Sequence, residues 1–178
     1  MLFALRDDGW NGPLLGVDYS AESVKLAQRV GAARREEAAA AEEGGSGEVE
    51  GDGVEFKEWD VLGGDFGVVG GEGRWDLILD KGTFDAVSLS GEKDYRGRRI
   101  CEGYEERVVR LLRTGGLFLV TSCNWTETEL QAWFEGTNAG ALGQGRLKQV
   151  ERIEYPSFSF GGVKGQTIST LCFEKVDG

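Results

Sequence analysis

Three short apolar runs in this chain each end on an aspartate, and they alternate with segments that favour helix. The runs span residues 14–17, 54–59 and 75–79, and they are followed by Asp18, Asp60 and Asp80. Short apolar runs of this kind are typical of buried parallel strands. In such sheets ligands bind beyond the carboxyl ends of the strands. The pattern therefore predicts an α/β doubly wound sheet with a binding site near the three carboxylates.

The segments between these runs fit the same fold class. Residues 1–7 read as the end of a helix closed by Gly9, and Ser20 is placed to cap a helix that continues to Glu43. The apolar face of that helix consists of Val24, Leu26, Ala27 and Val30. Residues 44–53 are rich in Gly, Ser and Glu, which predicts a flexible loop.

The second half of the chain also alternates helix and strand. Apolar residues recur at helical spacing over 98–112, and Gly115-Gly116 leads into a strand at 117–121. Thr126 is placed to cap a short helix over 127–135, and strands at 146–155 and 167–175 are predicted to form an antiparallel pair. With no internal repeat, residues 1–178 are interpreted as a single domain.

Composition excludes several kinds of chemistry. The chain has no histidine, which removes Ser-His-Asp and Cys-His nucleophilic sites and most metal sites. Its three cysteines form no Cys-x-x-Cys pair, so no metal is expected and a reducing compartment is indicated. The net charge of −11 disfavours nucleic acid and suits a basic protein partner, although acidic surface also simply maintains solubility. No run is long enough to cross a membrane, and a soluble cytoplasmic protein is predicted.

Four stretches carry a more specific signal when taken together in this order. They are Gly-Val-Asp-Tyr-Ser at 16–20, residues 76–86 with Asp-Lys-Gly-Thr-Phe-Asp-Ala, Thr-Ser-Cys-Asn-Trp-Thr at 121–126, and Tyr-Pro-Ser-Phe-Ser-Phe-Gly-Gly at 155–162. Nearly the whole chain thereby resembles the eukaryotic seven-strand methyltransferases that modify lysine on translation elongation factor 1-alpha. The resemblance implies a Rossmann-like methyltransferase sheet, S-adenosylmethionine as cofactor, and elongation factor 1-alpha as protein partner of a monomeric enzyme.

The resemblance also implies a cofactor site. Asp18, with Tyr19 beside it, is expected to bind the ribose hydroxyls, and the alternative is that Asp18 only orders the turn before Ser20. Asp60 and the backbone N–H of Val61 are expected to contact adenine, and a simple Asx turn is the alternative at Asp60. Asp80 is expected to lie beside the methyl-transfer position.

A free lysine is mostly protonated at neutral pH, so a methyltransferase must hold the amine, let its proton leave, and align nitrogen with methyl. Asp80 and Asn124 are the candidate catalytic residues. The candidate substrate contacts are Lys81, Thr83, Phe84, Trp125 and Phe160. Aromatic walls can favour the uncharged amine or cradle a methylated cation. The aromatic residues can equally be core, and Asp85 can be a solvated or capping carboxylate.

In the family a first, central strand and a Gly-x-Gly-x-Gly turn precede the helix that residues 1–7 resemble. The hypothesis is that Met1 is an internal methionine of a longer protein, and that this chain binds cofactor weakly. Two other functions stay open. One is a non-catalytic methyltransferase fold that acts only in protein interaction, and the other is a small-molecule methyltransferase.

Overall fold

The structure of the chain is a computed structural model that describes residues 1–41, 53–136, 145–156, 158–160, 163–165 and 168–178. Of residues 158–160 and 163–165 only the backbone is described. The predicted loop at 44–53 lies outside the described residues except for Gly53. The contacts divide the chain into two compact units, Met1–Val69 and Gly70–Gly178. The interpretation of residues 1–178 as one domain stays a prediction.

The first unit is built on two parallel strands. Its elements are α1 (Leu2–Asp7), β1 (Leu14–Asp18), α2 (Ala21–Ala41), β2 (Val54–Glu58) and a 3-10 turn (Phe66–Val69). β1 and β2 pair in parallel with Asp18 opposite Glu58, so their carboxyl ends meet at one edge. Gly9 ends α1 with φ 89°, while the Trp10 N–H donates to the Leu5 carbonyl at 3.0 Å. The predicted helix end at Gly9 is therefore confirmed.

The apolar face predicted for α2 is only partly buried. Val24 is 7% exposed, whereas Leu26 and Val30 are 63% and 45% exposed. Leu26 lies about 160° around the helix from Val24 at 3.6 residues per turn, so the predicted set does not form a single face. The side of α2 with Val24 is buried, and the side with Leu26 and Val30 is exposed. A Cβ added at Gly16 in β1 would lie 2.6 Å from the Phe56 ring, so only glycine allows the two to pack this closely.

The second unit contains a four-stranded sheet. Its helices are α3 (Thr83–Leu89), α4 (Tyr104–Leu111) and α5 (Glu127–Gly136), with a 3-10 turn at Ile100–Gly103. Its strands are β3 (Trp75–Lys81), β4 (Leu112–Ser122), β5 (Arg146–Ile153), β6 (Phe158–Phe160), β7 (Val163–Gly165) and β8 (Ser169–Val176). The sheet order is β3-β4-β8-β5, and β6 pairs only with β7 among the residues described.

Both parallel and antiparallel pairing occur in this sheet. β3 and β4 are parallel, whereas β8 runs antiparallel to both β4 and β5. The predicted antiparallel C-terminal pair and the α/β class are thus confirmed. The predicted strand at 117–121 begins earlier, at Leu112, because Leu112 already pairs with Trp75 before the register shifts. The short strands β6 and β7 were not predicted.

The outer strands of each larger sheet have one unpaired edge within the described ranges. In the first unit these strands are β1 and β2, and in the four-stranded sheet they are β3 and β5. The described helices include none that is long and apolar enough to span a membrane.

Candidate functional site

Two of the four signature stretches meet at the carboxyl ends of β3 and β4. Lys81 lies opposite Thr121 in the parallel register, and the Gly82 N–H donates to the Thr121 carbonyl at 3.3 Å. The turn after β3 and the turn after β4 therefore leave the sheet side by side. In α/β folds this is the edge at which ligands bind.

Asp80 is buried at this edge and anchors the start of α3. It is 5% exposed, and its carboxylate accepts hydrogen bonds from the Thr83 N–H at 2.8 Å and the Phe84 N–H at 2.9 Å. The Tyr104 hydroxyl donates to the same carboxylate. Burial raises the pKa of Asp80, and these three donors act against that rise. Burial likewise raises the pKa of the Tyr104 hydroxyl well above its ordinary value.

A second buried carboxylate, Asp85, connects α3 to the turn after β4. Asp85 is 7% exposed, and it accepts hydrogen bonds from the Ser122 hydroxyl and from the Cys123 N–H at 2.9 Å. The Ser122 oxygen in turn accepts the N–H groups of Asn124 at 3.1 Å and Trp125 at 3.0 Å. The backbone of residues 123–125 is therefore held by two side chains.

Aromatic packing lies directly beneath these turns. Phe84 is 1% exposed, and its ring centroid lies 5.8 Å from that of Trp125, 5.4 Å from that of Trp133 and 4.9 Å from that of Phe134. Trp125 is half-buried, and its indole N–H donates to the Ser88 hydroxyl at 2.9 Å. Phe84 thus forms core under the site, and a direct contact between Phe84 and substrate stays a prediction.

The remaining candidates of this unit form its outer surface or its flank. Lys81, Thr83 and Asn124 are exposed. Tyr155, which begins the fourth stretch, shares a hydrogen bond with Thr170 at 2.9 Å, and Thr170 shares another with Thr121 at 2.9 Å. The backbone of Phe160 lies in β6, but its side chain is outside the described part of the structure.

In the first unit, Asp18 lies at the carboxyl end of β1 and orders the turn into α2. One of its carboxylate oxygens accepts the Ser20 N–H at 2.8 Å, and the Ser20 hydroxyl accepts the Ser23 N–H at 3.3 Å. Tyr19 between them is 80% exposed. The turn engages one oxygen of Asp18, which leaves the second carboxylate oxygen as a candidate acceptor for ribose.

Asp60 follows β2 and closes an Asx turn. Its two carboxylate oxygens accept the Leu62 N–H at 2.9 Å and the Gly63 N–H at 3.1 Å. The turn considered from sequence is therefore present, and Val61 lies half-buried within it. Since each carboxylate oxygen can accept more than one hydrogen bond, the turn is compatible with an adenine contact, which stays a prediction.

Four residues of this site were not predicted from sequence to have a functional role, namely Asp85, Ser88, Ser122 and Tyr104. Asp85 and Ser122 lie inside the signature stretches, which was the available signal for them. Tyr104 lies 24 residues from Asp80 in the chain, and no local pattern connects the two.

No model of a known protein family matches the chain. Over 98% of its length it is 38% identical to a Saccharomyces cerevisiae protein named protein-lysine N-methyltransferase EFM4, of which it covers 65%. It is 36% identical over 90% of its length to the Schizosaccharomyces pombe protein of that name, covering 57% of it. EEF1A lysine methyltransferase 2 of Mus musculus is 31% identical over 91% of the chain, which covers 54% of that protein. The chain thus spans less than two thirds of each of these relatives.

Solved structures agree on the fold. A methyltransferase from Methanosarcina mazei described as S-adenosylmethionine-dependent superposes with a TM-score of 0.59 at 15% identity, covering all of this chain and 88% of that one. A TehB-like methyltransferase from Corynebacterium glutamicum gives 0.55 at 15% identity, covering 97% of this chain and 72% of that one. At this level of identity the similarity shows a shared fold.

Proposed function

Since this chain is a homologue of the protein-lysine N-methyltransferases EFM4 and EEF1A lysine methyltransferase 2, we propose that the protein transfers methyl groups from S-adenosylmethionine to a lysine side chain of another protein. The observation that carries the proposal is the joined site in the second unit. There the 76–86 and 121–126 stretches meet at the carboxyl ends of β3 and β4 and share the Asp85–Ser122 hydrogen bond.

Residues in each unit are assigned to the cofactor. Asp18 has a carboxylate oxygen that the turn does not use, which suits a ribose hydroxyl, and Asp60 with Val61 is assigned to adenine. Bound S-adenosylmethionine supplies an electrophilic methyl group on a sulfonium. In accepting that methyl, the lysine nitrogen forms a new N–C bond while the S–C bond breaks, and the amine proton leaves to solvent.

The residues of this chain would bring the amine to the reaction in its neutral form. We assign Asn124, which is exposed on the turn after β4, to hold the lysine nitrogen. Trp125 is assigned to the wall along the lysine side chain, because it follows Asn124 in the same turn and is half-buried. Asp80 is assigned a place next to the methyl, and its three hydrogen bonds keep it fixed there. Lys81 and Thr83 are assigned to contacts with the protein substrate.

The proposed substrate is translation elongation factor 1-alpha in the cytoplasm, modified by a monomeric enzyme. The name of the mouse relative supports this substrate. The net charge of −11 also supports it, because an acidic surface favours encounter with a basic partner.

The test is transfer of a radiolabelled methyl group from S-adenosylmethionine to purified elongation factor 1-alpha. We expect label on lysine, and we expect Asn124→Ala to lower kcat/KM by about tenfold or more. Gln131→Ala is the matched control, since Gln131 is also an exposed amide of the second unit and bonds only to Glu135 among the described contacts.

Three outcomes would contradict parts of the proposal. Label on a metabolite panel but not on protein would favour a small-molecule methyltransferase. Binding of elongation factor 1-alpha without transfer would favour a non-catalytic interaction protein. Equal loss in Asn124→Ala and Gln131→Ala would remove Asn124 from the acceptor site.

A further inference from the structure

We propose that Asp85 is a positioning residue that holds the Asn124–Trp125 backbone in place for methyl transfer, a role that rests on the proposed function. Asp85 lies in the first turn of α3 and is 7% exposed. A buried carboxylate is costly unless its oxygens accept hydrogen bonds, so the groups that bond to it are strongly constrained in position.

The first connection from Asp85 runs through its side chain. One oxygen accepts the Ser122 hydroxyl and the other accepts the Cys123 N–H at 2.9 Å. Because the Ser122 hydroxyl donates its only proton to Asp85, its oxygen lone pairs are left to accept the N–H groups of Asn124 and Trp125. A single carboxylate therefore sets the direction of hydrogen bonding for three consecutive backbone N–H groups.

The second connection runs through the backbone of the same residue. The Asp85 carbonyl accepts the Ser88 hydroxyl at 3.1 Å, and the Ser88 oxygen accepts the Trp125 indole N–H at 2.9 Å. One turn of α3 thus holds both the main chain and the ring of Trp125. The ring is further confined between Phe84 and Trp133, with centroids 5.8 and 5.6 Å away.

The anchored turn exposes the side chain of Asn124. The backbone of Asn124 is anchored while its side chain is exposed, as expected for a group held ready for a ligand. Misplacement of a reacting group by about 1 Å can lower a rate by about a hundredfold. Asp85 itself is buried and touches no substrate in this arrangement, so it acts through Ser122 and Asn124.

The test compares the full chain with its Asp85→Asn variant. An amide at this position has nearly the same shape, but its NH₂ group cannot accept a hydrogen bond, so one of the two acceptors is lost. We expect hydrogen exchange at the amides of residues 123–125 to become at least about tenfold faster. We also expect kcat to fall by about tenfold or more while the KM for S-adenosylmethionine stays unchanged. Asp76→Asn is the control, because Asp76 is 77% exposed and is expected to alter neither quantity.

A second pair of variants tests the same positioning role if Asp85→Asn folds poorly. Ser122→Ala removes the hydroxyl that links Asp85 to the turn, and Ser122→Thr retains it. We expect Ser122→Ala to reproduce the faster exchange and lower kcat, and Ser122→Thr to restore both.

The outcomes separate this inference from the proposed function. A lower unfolding midpoint in Asp85→Asn, with unchanged exchange at 123–125 and unchanged kcat, would overturn the positioning role and leave a structural one. If wild-type protein transfers no methyl group, the proposed function fails and the catalytic part of this inference fails with it. Faster local exchange in Asp85→Asn would then still support the anchoring of the turn, and unchanged exchange would overturn it.

Discussion

At the scale of single residues, the second unit contains buried acidic side chains. Asp80 and Asp85 are both buried, and each accepts hydrogen bonds from named donors. Glu105 at the start of α4 is 3% exposed, and its Oε1 has no hydrogen-bond partner within the described ranges. Asp80 and Asp85 are therefore expected to stabilise the fold through their hydrogen bonds. Glu105 is expected to make the free energy of unfolding depend on pH.

Removing the hydroxyl of Tyr104 tests how strongly Asp80 depends on its donors. In Tyr104→Phe the buried carboxylate loses one hydrogen bond, and we expect the free energy of unfolding to fall by about 2 kcal/mol. Urea denaturation at neutral pH measures the change. Tyr95→Phe is the control, because Tyr95 is 88% exposed. A Tyr104→Phe variant as stable as Tyr95→Phe would contradict the assignment.

Glu105 provides a prediction with a definite sign. Burial raises the pKa of Glu105 from an ordinary value of 4.5 to about 8. Between these two pH values the unfolded chain releases the proton and the folded chain retains it. The Glu105 contribution to unfolding free energy therefore decreases as pH rises through this window, and is constant outside it.

We expect Glu105→Gln to match wild type near pH 5 and to gain stability relative to it at pH 9. Urea midpoints at pH 5, 7 and 9 measure this difference. Glu106→Gln serves as the control, because Glu106 is half-exposed on the same helix and pairs with Arg110 at 3.7 Å. If the difference in urea midpoint between wild type and Glu105→Gln did not change with pH, this would show that Glu105 is solvated.

At the scale of elements, the turn between β3 and α3 depends on a glycine. Gly82 has φ 88°, a left-handed backbone conformation that residues other than glycine adopt only at a cost in free energy. A Cβ at this position would meet no atom within 4 Å. Any loss of stability on substitution would therefore come from backbone strain and not from a steric clash. Gly82→Ala is expected to lower the free energy of unfolding by about 1–2 kcal/mol.

The matched control for this glycine is Gly91→Ala. A Cβ at Gly91 also meets no atom within 4 Å, but Gly91 does not have a left-handed φ. We therefore expect no loss of stability in Gly91→Ala by chemical denaturation. Equal effects at the two positions would mean that the turn after β3 does not require a left-handed residue.

Sheet position predicts which strands open least. β4 is paired on both edges, by β3 and β8, whereas β1 is paired on one edge among the described strands. Amide hydrogens of β4 are expected to exchange far more slowly than those of β1, because local opening is easier at an edge strand. Hydrogen exchange with mass spectrometry measures both peptides. Equal protection of β1 and β4 would indicate that the edge of β1 is covered.

At the scale of the whole molecule, each unit contains residues with a proposed role. Asp18 and Asp60 of Met1–Val69 and Asp80 of Gly70–Gly178 are assigned to the cofactor, and Asn124 of Gly70–Gly178 is assigned to the lysine nitrogen.

Much of the fold could be predicted from sequence because its signals are local. Apolar runs ending on aspartate gave β1, β2 and β3, and the cap at Thr126 is confirmed by its reciprocal hydrogen bonds with Glu129 at the start of α5. Strand periodicity and helix capping depend on residues within a few positions of one another. The signature stretches and their order likewise needed no tertiary information.

Sequence alone determined the α/β class, the order of the longer elements and the resemblance to lysine methyltransferases, since each depends on residues that are neighbours in the chain. Only the tertiary structure decided that Phe84 is core, that Leu26 is exposed, and that Asp85 anchors the turn at Ser122. Burial and hydrogen bonding of these side chains depend on groups far away in the chain, such as Phe134 for Phe84 and Cys123 for Asp85. Such contacts form only when separate strands and helices pack together, so no local pattern contains them.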